Sequence, residues 1–189
     1  MEENLEYRMY FFVPYNISEI QKGIQAGHAA LRYALEHARH DPHSVLWDFV
    51  EDHETWIILN GGTTNSKMDL YGDEEELRPK GSLNQIVQNF TGKQINYATF
   101  TEPDLNNALT AICFLADERV WNHKKYPDWQ GVNISMPIAT ANDDGSINLD
   151  EPIETNNEGL TYNDWVVNIG GAKNLFLRKL VHPNNAKLA

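Results

Sequence analysis

Cysteine is nearly absent: Cys113 is the one thiol in 189 residues. No internal disulfide can form, so a reducing compartment and a cytoplasmic location are expected. The Asn-x-Ser/Thr triplets at Asn16, Asn89 and Asn133 then carry no meaning as glycosylation sites. Long apolar runs are missing too. Met9 to Val13 and Ala108 to Ala116 are the longest, well short of the roughly 18 residues of a membrane span. The opening Met1-Glu2-Glu3-Asn4-Leu5-Glu6 is acidic where a secretory signal is basic and then apolar, so no signal is expected. Basic charge is scarce, with 15 Lys and Arg against 27 Asp and Glu, a net charge of −12. Such a field repels phosphate backbones at long range and argues against a general nucleic-acid binder, though it leaves room for a local basic stripe. Aromatic side chains, by contrast, are plentiful. The 5 Trp, 8 Tyr and 7 Phe exclude disorder as the main state. The length suits one domain, or one small domain with an appended piece.

The pattern along the chain predicts an α/β fold. Tyr7 to Val13 is a β-branched and aromatic run halted by Pro14, as in a buried strand. Asn16 or Ser18 starts a helix, with Ser18 and Gln21 spaced as a capping box, that runs to about Arg39 and is closed by Asp41-Pro42. Thr55 to Leu59 reads as a second strand ending in the turn Asn60-Gly61-Gly62. Residues 63–80 are polar, and their acid run Asp73 to Glu76 reads as a solvated loop rather than a metal site. Ser82 caps a short helix carrying Leu83, Ile86, Val87 and Phe90 and ending at Gly92. Ile95 to Phe100 and Ala108 to Leu115 read as strands joined by so few residues that they should be antiparallel neighbours. These elements predict a mixed four-stranded sheet with a right-handed first crossover.

Past Leu115 the character changes. Residues 116–130 form a polar-aromatic linker. Asn133 to Ala139 and Ser146 to Ile153 read as short strands around the turn Asn142-Asp143-Asp144-Gly145. Thr161 to Ile169 and Ala172 to Val181 read as helices separated by Gly170-Gly171, with Arg178, Lys179 and His182 suiting a helix C-terminus. The expected division is an α/β domain over 1–116 and a C-terminal extension, hairpin plus helices, over 117–189. Trp165, Val166, Ile169, Leu175, Phe176, Leu177 and Leu180 make that extension too apolar for a free tail, and its helices are too short to stand alone. It should pack on the core or across a subunit interface.

Two places could carry chemistry. On the first helix, Ile20, Ile24, Gly27, Leu31, Leu35 and Ala38 share one face, expected to sit on the sheet. Gly23 and Gly27 weaken a helix, which points to a close approach of backbone or ligand. A further stripe holds Gln21, Gln25, His28, Arg32 and Arg39: amides, an imidazole and cations, as a phosphate or ester site needs. The same stripe also reads as the polar flank of an amphipathic helix. The second place is Thr101-Glu102-Pro103-Asp104-Leu105-Asn106-Asn107, which could aim a carboxylate at that helix but is also made of ordinary turn residues. His37, His40 and His43 read as a frayed helix end rather than a metal set. Cys113 reads as inert core. Asn60-Gly61-Gly62-Thr63-Thr64 lacks the lysine of a phosphate loop.

At those two places the sequence resembles the type 2 peptidyl-tRNA hydrolases. The likeness is best in Ile24-Gln25-Ala26-Gly27-His28-Ala29-Ala30-Leu31, similar to that family's Ala-Gln-x-x-His-Ala-Ala segment. It also takes in Tyr10 to Val13, Trp56 to Leu59, Ile95 to Ala98, the acidic turn and Leu109 to Ile112, about residues 7–116 in all. Ser18-Glu19-Ile20-Gln21 stands where the family carries Gly-Lys-Gly-Lys, with Lys22 beside it, and the short acidic turn is similar to bacteriophage-type relatives. The resemblance implies a three-layer α/β/α sandwich. It also implies cleavage of the ester of peptidyl- or aminoacyl-tRNA, without metal or other cofactor. Catalysis would fall to His28, Asp104 and Glu102, and substrate binding to Gln21, Lys22, Gln25, Arg32 and Asn106. The expected partner is tRNA or a nucleotide-like ligand, not a membrane, and a homodimer is left open. The alternative is a non-catalytic module of the same fold holding a nucleotide-like ligand or a partner protein. A third is a structural, virion-associated protein assembled through its extension.

Overall fold

The computed structural model describes residues 5–63, 81–131, 133–134, 139–141, 147–149, 154–156, 158–183 and 185–189. Of the expected loop at 63–80 all but Thr63 lies outside them, as do the turn at 142–145 and residues 135–138, 146 and 150–153 of the two expected short strands. The sheet is mixed and four-stranded. Its centre is β1 (Tyr7–Pro14) and β4 (Ala108–Asp117), with β2 (Trp56–Gly62) and β3 (Ala98–Glu102) at the edges, in the order β2-β1-β4-β3. β1 runs parallel to β2 and antiparallel to β4, and β3 is antiparallel to β4. The central strands are the two nearly continuous apolar runs because helices cover them on both sides. Alternation divides their side chains. Met9, Phe11, Val13, Ala111 and Cys113 pack with α1 (Glu19–His37), α2 (Val45–Asp48) and the π-helical turn Phe49–His53 that follows. Tyr10, Phe12, Ile112 and Phe114 pack with α3 (Ser82–Gly92), α4 (Glu118–Trp121) and α6 (Gly171–Val181). Among the described residues no helix is long and apolar enough to cross a membrane.

Local signals mark most boundaries. Ser18 and Gln21 form the capping box that opens α1. Ser82, expected as a cap, is instead the first residue of α3, and Gly81 takes the N-cap position with φ of 112°. The Ser82 hydroxyl donates to Gly61 O at 2.6 Å, tying α3 to the end of β2. β3 begins at Ala98 rather than Ile95, and Ile95 is buried in the core beneath α3.

The orientation of α1 departs from its apolar periodicity. Ile20, Ile24, Leu31 and Leu35 are exposed, and the buried positions are Lys22, Gln25, Ala26, Ala29 and Tyr33. Small side chains decide this. Ala26 and Ala29 bring the helix so close to the sheet that the Cys113 thiol donates to Ala29 O, at 3.1 Å. A Leu or Ile in their place would hold the helix off.

The chain after β4 turns on Asp117. Its carboxylate caps α4 through Arg119 N, pairs with the Arg119 guanidinium and accepts from Asn174 Nδ2. Arg178 is buried and donates to Arg119 O, Tyr126 O and Asp128 Oδ1, so it clamps α6 to the linker rather than serving the end of its own helix. Leu177, Val181 and Ala186 join the core cluster under the sheet. Asn60 N donates to Lys187 O and Ala189 N to Ile58 O, so the last residues cover the β2 edge. Short antiparallel pairs join β5 (Asn133–Ile134) to β8 (Glu154–Thr155) and β6 (Ala139–Ala141) to β7 (Ile147–Leu149). α5 (Tyr162–Asn168) precedes α6 and buries Trp165, whose indole N–H donates to Pro127 O at 3.0 Å.

Candidate functional site

Three side chains from three elements form one polar chain between α1 and the sheet. Thr110, buried in β4, donates its hydroxyl to Gln25 Oε1 at 2.7 Å. Gln25, buried on the inner side of α1, donates Nε2 to Glu102 Oε2 at 2.8 Å. Glu102, half-buried at the end of β3, therefore has its carboxylate held by an amide that is itself held. An irregularity in the β3–β4 register between Phe100 and Thr101 precedes Glu102, and such bulges re-aim side chains at strand ends. Beyond Glu102 the chain makes a 3₁₀ turn at Pro103–Leu105. Asn106 and Asn107 follow with φ of 53° and 56°, a left-handed conformation that Asn tolerates well.

The other candidates are placed differently. His28 is half-buried with its ring 4.3 Å from that of Phe100, and its Nδ1 is buried with no hydrogen-bond partner. Lys22 is buried and its ammonium pairs with Glu19 Oε1 at 2.8 Å. Gln21 spends its amide oxygen on the cap of its own helix, accepting from Ser18 N. Arg32, Asp104 and Asn106 are exposed. Of the two turn carboxylates, then, Glu102 reaches α1 and Asp104 stands on the surface. Thr110 is the member of this polar chain that no motif or spacing singles out. Its one signal is to be the lone hydroxyl in the run Ala108 to Ala116.

His37 Nε2 meets Tyr97 O at 2.8 Å. Among the described residues no three His, Cys, Asp or Glu side chains stand close enough to hold a metal. Burial pushes the Cys113 thiol up to about 12, so it is protonated at neutral pH and no nucleophile. A cavity of about 390 Å³ lies in the C-terminal part, walled by Trp129, Tyr162 and Trp165 with Arg178 and Lys179. Its Arg178 is committed to the linker contacts above. Compared with protein-family models and with curated proteins, the sequence matches none.

Proposed function

We propose that the chain is a hydrolase of the peptidyl-tRNA hydrolase kind, cleaving the ester of a peptidyl- or aminoacyl-tRNA on a three-layer α/β/α framework. The observation that carries this reading is the Thr110–Gln25–Glu102 chain. A carboxylate at a strand end, fixed through one oxygen by a buried amide, is a preorganised general base. In the proposed reaction Glu102 takes a proton from water, and the water oxygen attacks the acyl carbon. The carbon–ribose oxygen bond breaks, and the ribose oxygen takes up the proton that Glu102 drew from the water, passed on through the imidazole of His28, so that both side chains return to their starting state. Asp104, Asn106 and Arg32 lie exposed where they can meet the nucleic acid. The reading needs no metal or other cofactor, as the family resemblance implies, and carries a cytoplasmic location with it.

The test is hydrolysis of an N-blocked aminoacyl-tRNA by the full chain. Glu102→Gln should slow cleavage by about a hundredfold and His28→Ala by at least about tenfold, whereas Asp104→Asn should weaken KM more than kcat. No cleavage by the unaltered protein sinks the hydrolase. The second reading, a binding module of the same fold, is favoured by the Lys22–Glu19 pair, which commits the buried ammonium of α1 to a carboxylate. Binding of tRNA or a nucleotide without turnover would select it.

A further inference from the structure

The outward side of α1 carries large apolar side chains that nothing in the described residues covers. Ile20 is 77% exposed, Leu31 67%, Leu35 54% and Ile24 50%. They form one ridge at helical spacing with Gly27 in its middle, pointing away from the sheet. Beside the ridge lies a groove of about 570 Å³ whose far wall is Val50 and Trp56, with Gly27, Ala30 and Ala34 on its α1 side. A Cβ added at Gly23 or Gly27 would meet nothing within 4 Å, so the helix backbone itself is open to approach there.

We propose that this face is the interface of a two-fold dimer, in which α1 packs antiparallel against α1 of a second copy. The ridge is self-complementary. The ridge is centred between Gly27 and His28, so antiparallel pairing sets Ile20 against Leu35 of the second copy and Ile24 against its Leu31, with the glycines at the crossing. Each residue meets a partner that meets it in return, as an isologous interface demands. The small residues at the crossing let each ridge enter the groove beside the other. Its area suffices as well. The four ridge residues with Val50 and Trp56 expose on the order of 600 Å² of apolar side chain, against about 450–500 Å² of apolar surface per partner in a standard interface. Charge sets the salt dependence. Each copy carries −12; the ridge itself holds no acid, and a single carboxylate, Glu54, stands at the groove. Association should therefore tighten as salt screens the long-range repulsion. Gln25, Glu102 and Thr110 lie on the inner side of the same helix, so the dimer leaves their network uncovered. His28 borders the groove, so the dimer and a proton-donating His28 compete for one face, and mass and crosslinking report the dimer without reference to turnover.

Sedimentation of the full chain from about 1 to 100 μM reads the state directly. A mass twice that of the 21.6 kDa chain, more populated at higher salt, is expected. Leu31→Glu should weaken the dimer at least about a hundredfold by burying a carboxylate against Ile24 of the second copy at each of the two equivalent contacts. At concentrations where the unaltered protein is itself monomeric the two should melt alike, since Leu31 is exposed there. Gly27→Cys should oxidise to a disulfide-linked dimer under mild oxidant, while the unaltered protein, whose Cys113 is buried, does not. A monomer throughout the range overturns the proposal. A dimer that survives Leu31→Glu and is not trapped through position 27 overturns it equally, because the contact is then elsewhere.

Discussion

Replacing Thr110 by Val keeps the volume of the side chain and removes only the hydroxyl at the root of the polar chain. Thr110 is 1% exposed and its partner Gln25 is 7% exposed, so water cannot take the place of the lost donor. Gln25 Oε1 is left buried and unpaired, a cost of about 1–3 kcal/mol, offset in part because the Val methyl is better buried than the hydroxyl. A net loss of about 1.5 kcal/mol corresponds to a fall of about 3–6 °C in Tm for a chain of this size. Gln25→Met should cost less. The Thr110 hydroxyl then still faces Phe100 O, at 3.3 Å, and half-buried Glu102 still reaches water. The double variant should lose about 1 kcal/mol less than the sum of the singles, because the orphaned acceptor is gone. Urea unfolding of the four proteins, read by circular dichroism, measures the coupling. Additive losses, or a Thr110→Val variant as stable as the unaltered protein, would show that the two side chains are not bonded as described.

Gly61→Ala should destabilise by about 1–3 kcal/mol in thermal melts, since the new Cβ meets Leu83 Cδ2 and lies 3.1 Å from Phe12 Cβ. Alkaline pH should unfold the protein progressively. Burial pushes Cys113 and Tyr10 up to about 12 from ordinary values of 9.0 and 10.0. The folded state therefore holds protons that the unfolded chain releases, and stability complete below about pH 9 is lost as pH rises toward 12. In a series of melts, Cys113→Ala should be less stable overall but show a shallower decline between pH 9 and 10. Arg178→Lys, which keeps the charge and loses the fork, should cost about 2 kcal/mol in urea by stranding the Arg119 and Tyr126 carbonyls.

Much of the fold was legible because it is locally encoded. The Ser18–Gln21 box, the aromatic run of β1 and the short link between β3 and β4 each act within a few residues, and each specifies its element without knowledge of the rest. What resisted reading depends on partners far along the chain. Arg178 looked like a favourable charge at the end of its helix. Its actual role depends on where residues 119–128 run, since three of its acceptors lie there. Glu102 and Asp104 are interchangeable in composition. They are separated only by the geometry of the strand end, which sends Glu102 to Gln25 and leaves Asp104 on the surface.

The same limit explains α1. Periodicity reports that a helix has an apolar face, not which body covers it. Here the sheet takes the face with Ala26 and Ala29, because close approach and dispersion contact compensate for their small area, and because the polar members of that face arrive with partners. Gln25 is satisfied at both ends, and Lys22 has Glu19. Had the Ile and Leu ridge faced inward, the helix would stand farther from β4 and the Gln25 amide would lose both Thr110 and Glu102. The inversion that builds the polar chain is thus the one that leaves the ridge uncovered. A partner for the ridge would bury the apolar surface that this arrangement of α1 keeps in water, and the inner network and the outer face are two consequences of one choice of helix orientation.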